Sequence, residues 1–142
     1  MVTVNMDQIE QLLQTPYWII DILPKQVQRN SRGQYFAVEK YFLISQLTSI
    51  KQKHVNLILK LNCYRDVEIE GEKNPKPEKI AEIIRERYVY VIVGNSMILS
   101  EPDDTHMTFF NPDDELLSLV KELAAAEGLF MWEGSLTGES SC

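Results

Sequence analysis

The chain has 142 residues, 14 basic and 21 acidic side chains, a formal charge of −7 and 44% apolar side chains. That length suits one globular domain able to bury a core without metals or disulfides, and the apolar content excludes disorder along the whole chain. The negative charge opposes general attraction to phosphate backbones and anionic lipid heads, so either partner would need a local basic patch.

Asn5 is placed to cap a helix carrying Met6, Ile9, Leu12 and Leu13 at helical spacing, and Pro16 should end it. Tyr17 to Leu23, YWIIDIL, is short and rich in β-branched and aromatic residues, which predicts a buried strand. After Pro24 a polar connection with Lys25, Arg29 and Arg32 runs to Gly33. From Gln34 to Leu61 the apolar positions follow a helical rhythm, first through Tyr35, Val38 and Phe42, then through Leu47, Ile50, His54, Leu57 and Leu61; two helices with a bend near Ser45 are expected.

CYRDVEIEG, from Cys63, alternates as a strand with one wet face, and Gly71 to Pro77 reads as a loop inside one domain. A helix follows from about Glu78 to Arg87, burying Ile80, Ile83 and Ile84. YVYVIV is the strongest strand signal, and Gly94 and Asn95 offer a hairpin turn into Ser96 to Ser100. The acidic turn EPDD leads to the strand THMTFF. In the next segment Asn111 is the expected cap, Pro112 the first helical residue, and Gly128 the stop. Leu129 to Glu133 is the last strand; residues 5–133 form the expected ordered core and 134–142 a flexible tail. The sum is an α+β single domain, with a mixed or mainly antiparallel sheet of about five to six strands packed with about five helices.

Cys63 and Cys142 read as free thiols, with Cys63 at the half-buried start of a strand. The first residues lack a basic n-region and a continuous apolar h-region, and no apolar run approaches the ~20 residues that cross a bilayer. The expected location is the cytoplasm, with no membrane partner.

The carboxylates Glu101, Asp103, Asp104, Asp113, Asp114 and Glu115 could supply oxygen ligands, but the spacing lacks the glycine and distant glutamate of a calcium loop, and the second trio suits the first turn of a helix. No metal or other cofactor is therefore expected. His106, two residues after Asp104, could be oriented as a general base, yet the sequence supplies no companion nucleophile. His54 falls on an apolar helical stripe and reads as a core histidine with its nitrogens satisfied by backbone or water. Serines lack a nucleophile elbow, and the glycines form neither common phosphate-cradling loop.

Tyr35 and Phe36 point ~100° apart on a helix, as do Tyr41 and Phe42, so one member of each pair should reach the surface, where tyrosine is a good anchor. Protein contact is expected at Arg29, Arg32, Tyr35 and Phe36, together with the acidic Asp103, Asp104 and Asp114. The leading expectation is a small acidic protein that binds or neutralises a protein partner of basic character, as antitoxins and immunity proteins of similar build do. One alternative is a metal-dependent or small-ligand enzyme using residues 101–106, for which at least two of Asp103, Asp104 and His106 should converge. The other is a nucleic-acid-associated regulator using Lys51, Lys53 and Lys60 with Arg29 and Arg32. Pairing of two copies is compatible with all three.

Overall fold

A computed structural model describes residues 6–25, 27, 28 and 30–134; the expected cap Asn5, the loop residue Arg29 and the tail from 135, with Cys142, lie outside the described residues. Five helices are present among them: α1 Met6–Leu12, α2 Tyr35–Ser45, α3 Leu47–Asn62, α4 Pro77–Glu86 and α5 Asp114–Ala126. Seven strands accompany them: β1 Tyr17–Asp21, β2 Glu68–Ile69, β3 Glu72–Lys73, β4 Val89–Val93, β5 Ser96–Ser100, β6 His106–Phe110 and β7 Phe130–Glu133.

The strands form one sheet in the order β3-β2-β4-β5-β6-β1-β7, with every neighbouring pair antiparallel. Strands β4, β5 and β6 are the expected meander. Gly94, at φ +60°, makes the two-residue turn between Val93 and Ser96 that a side chain would strain. Strand β1 lies inside the sheet, pairing with β6 on one side and β7 on the other, which explains its bulky YWIID sequence.

Alternation along the strands divides the molecule into two layers of burial. Val89, Val91, Val93, Ile98, Met107, Phe109 and Ile20 pack with residues of α3, α4 and α5 such as Leu57, Leu61, Ile80, Ile84 and Val120. On the other face Ile9 and Leu12 of α1 cover Met97 and Phe110, with Tyr17, Tyr90, Ile92 and Leu99 around them. At the far end of α3, Glu127 receives Lys60 Nζ at 2.5 Å and Asn56 Nδ2 at 3.1 Å, while Lys53 Nζ donates to its carbonyl at 2.8 Å. This ties α3 to the end of α5.

Three local expectations are corrected. Cys63 is the exposed C-cap of α3, not a strand start, because the helix runs to Asn62 and its last turn continues through Tyr64 and Arg65. The stretch from Gly71 contains β3, whose turn is fastened by Asn74: its Oδ1 accepts from Val67 N at 2.9 Å and from Asn62 Nδ2 at 2.8 Å. The cap of α5 is Asp113, whose Oδ1 accepts from Leu116 N at 2.8 Å; Asn111, at φ +58°, ends β6 instead. Proline opens a different helix, α4, through Pro77.

Candidate functional site

Two features meet where β1 and β5 end and β6 begins. The first is a group of ionisable side chains in an otherwise apolar setting. Asp21 and His106 are direct partners in the β1–β6 register, so both lie on the same face of the sheet. Asp104, in the turn before β6, accepts from His106 Nδ1 at 2.8 Å and from Thr105 N at 2.8 Å. Its contact fixes the imidazole tautomer and leaves Nε2 for another partner.

The first turns of α3 close this end from the opposite face. Lys51 is 3% exposed, and its ammonium donates to Ser100 Oγ at 3.0 Å and to the Glu101 carbonyl at 2.7 Å. His54 is fully buried, and neither ring nitrogen reaches a hydrogen-bond partner among the described residues. The expected core histidine is buried, and the Thr105 backbone is a polar group that favours its protonated form.

Burial pushes Asp21 up to about 6, against smaller opposing effects from Leu23 N and the His106 charge. Burial lowers Lys51 to about 8 despite the nearby carboxylates of Asp104, Glu101 and Asp103. Burial and the Lys51 charge push His54 down to about 3, so its ring is neutral. For His106 burial works against the proton, but Asp104, Asp21 and Glu101 outweigh it and hold the group above its ordinary value. Burial likewise works against charge on Asp104, and His106 and the adjacent N–H groups overcome it.

The second feature is α2. Its sequence, YFAVEKYFLIS, has only Glu39, Lys40 and Ser45 as strongly polar residues, and a helix so apolar on all sides normally lies inside a core. Here none of its residues is buried, and Phe36, Val38, Tyr41, Leu43 and Ile44 are exposed, Ile44 to 72%. The expected buried stripe through Val38 is therefore corrected. Within each aromatic pair one ring is exposed, Phe36 against half-buried Tyr35 and Tyr41 against half-buried Phe42, as the helical offset predicts. Tyr35 links α2 to the ionisable group: burial, then the charges of Asp21 and Glu39, push its phenol up to about 12.

The residues singled out from the sequence separate into two places. Tyr35, Asp104 and His106 come to one end of the sheet, with exposed Arg32, Phe36 and Asp103 in the segments leading to them. Asp114 stands in the first turn of α5, past the other end of β6, and does not join them. Asp21 and the α2 residues Leu43 and Ile44 were missed as candidates. An acid inside an apolar strand was the legible signal for Asp21. Lys51, Lys53 and Lys60, the expected basic face, are all engaged within the fold by Ser100, Glu101 and Glu127.

Among the described residues, no group of three or more His, Cys, Asp or Glu side chains is placed to hold a metal ion. No helix among them is long and apolar enough to cross a membrane. Comparison with protein-family models, with curated proteins and with solved structures finds no match.

Proposed function

We propose that this protein works by binding another protein, with α2 as the contact. The observation that carries this reading is the exposure of five large apolar side chains on one eleven-residue helix that buries none of its residues. Contiguous apolar surface of this kind marks interaction sites, and covering each of these side chains contributes on the order of 1 kcal/mol. Residues 88–142 carry 1 basic and 10 acidic side chains, which steers a basic partner toward the molecule. A partner-neutralising role of the antitoxin or immunity type suits that combination by analogy of class. The test is capture from cells that express the gene, with wild-type and Ile44→Asp proteins as baits. A partner held in stoichiometric amount by the first and lost by the second is expected. An empty wild-type column, or identical sets on both baits, would contradict the reading.

One specific observation favours a second reading, acid–base catalysis at His106: the 2.8 Å contact of its Nδ1 with Asp104, which orients the ring. Hydrolysis of p-nitrophenyl acetate and bis-p-nitrophenyl phosphate by wild type and His106→Gln tests it. Turnover that depends on His106 supports catalysis, and equal background rates exclude it for these ester classes.

A further inference from the structure

A cleft of about 220 Å³ lies between the start of α1 and β4, on the sheet face that α1 covers. Tyr88, Tyr90 and Ile92 stand along β4, with Met6 of α1 on one side and Glu68 and Glu70 near β2 on the other. Tyr88 is half exposed, and its ring meets that of Tyr90 edge to face at 5.3 Å, with the two hydroxyls 3.1 Å apart. This pair offers an electron-rich aromatic wall whose polar ends are already satisfied by each other.

The charges around the cleft do not cancel. Arg87 donates to both oxygens of Glu70, at 3.0 and 3.2 Å, so that pair is neutral. Lys73 stands opposite Glu68 in the β2–β3 register, but its ion pair, at 3.4 Å, is with Asp66. Lys79 is likewise taken by Glu72. Glu68 has no ion pair among the described residues and is exposed, which leaves one uncompensated carboxylate on the wall of the cleft, opposite Ile92 in the β2–β4 register. Aromatic faces with a carboxylate and an apolar floor attract a cation carried on an aliphatic stem.

We propose that the cleft between α1 and β4 receives a lysine or arginine side chain of a basic protein partner. This rests on the protein-binding reading and names the partner's chemistry at a second contact, distinct from α2. Nothing covalent is involved: the ammonium or guanidinium meets Glu68 and the tyrosine faces, while its methylene stem covers Ile92 and Met6.

The test uses the full chain, with hexalysine and its fully Nε-acetylated counterpart as probes, followed by amide shifts in two-dimensional NMR. Hexalysine is expected to shift residues 68–71 and 88–92 and the start of α1, and the uncharged peptide is not. Glu68→Gln should weaken hexalysine at least fivefold and Tyr88→Leu at least threefold, both with unchanged circular dichroism. Glu122→Gln, an equal loss of charge on exposed α5 surface, should leave it unchanged. Shifts centred on residues 101–104 or 113–115, no shifts, or equal weakening by Glu122→Gln would overturn the proposal and assign the binding to net charge. Ile44→Asp separates this contact from α2: it should lose the captured partner while keeping the hexalysine shifts. A cleft that fails with α2 capture intact sinks this inference alone.

Discussion

Lys51 and His54 are neighbours on one helix, and burial acts on them differently. The Lys51 ammonium keeps two acceptors, so Lys51→Ala should cost about 3 kcal/mol in urea unfolding, through lost packing and stranded acceptors. Lys51→Met keeps the stem without the charge and should lose clearly less; equal losses would show that the packed stem contributes nothing and that the ammonium carries the whole effect. His54 sets an acid dependence. Held near 3 when folded and near 6.5 when unfolded, it takes a proton only in the unfolded chain between those values. Stability therefore falls as pH drops below 6.5, by up to ~1.4 kcal/mol per pH unit. Asp21 acts with the opposite sign. Raised to about 6 from 3.8, it binds its proton first in the folded state, so stability rises as pH drops through that window. The two effects oppose each other between pH 6 and 4. His54→Leu removes the first, and its urea midpoint should rise from pH 6 to pH 4 relative to wild type; parallel curves would contradict the assignment. Asp21→Asn should in turn stabilise the protein at pH 8 by roughly 1–2 kcal/mol, since the folded state no longer holds a buried charge there.

At the scale of elements, α2 and α5 make opposite demands on the sequence. The start of α5 depends on one side chain, and Asp113→Ala should cost about 1 kcal/mol, whereas Pro112→Ala should be nearly neutral because Pro112 precedes the cap. Thermal unfolding of the two variants decides between Asp113 and the sequence-based choice of Asn111. For α2 no such dependence is expected: Ile44→Asp should change stability by no more than about 0.5 kcal/mol, because Ile44 touches little within its own chain. A large loss would mean that α2 packs more firmly than its exposure indicates. The elements with a clear period or turn were legible beforehand. YVYVIV, the Gly94–Asn95 turn and the Ser96 strand fixed each other locally, and the bend at Gln46 fell one residue from Ser45. Strands β2 and β3 were not legible as a pair, since two residues each carry no period and depend on Asn74 and on β4 for their place. The exposure of α2 was hidden for a different reason: an apolar helix reads as core whether its partner is in the same chain or in another.

On the scale of the whole molecule, the charge of −7 divides into two unlike parts. Residues 1–87 hold 13 basic and 11 acidic side chains, while residues 88–142 hold 1 and 10. Folding does not leave the α3 lysines as a free basic face, because they are bound to Ser100, Glu101 and Glu127. What it leaves outside is an apolar helix at one end of an antiparallel sheet and a tyrosine-lined cleft beside β4. The candidate site was legible only in part for the same reason that β1 was not placed beforehand: Asp21 meets His106 through a pairing of residues 85 apart, which no local pattern records. The claim that α2 is the protein-binding surface is tested most directly by photo-crosslinking in the expressing cell, with benzoylphenylalanine at position 44 and, as control, at position 122 on α5. Crosslinking at position 44 alone, to a partner of defined mass and lost on Tyr41→Ala with Leu43→Ser, is the expected result. No adduct at position 44, or equal adducts at both positions, would contradict it.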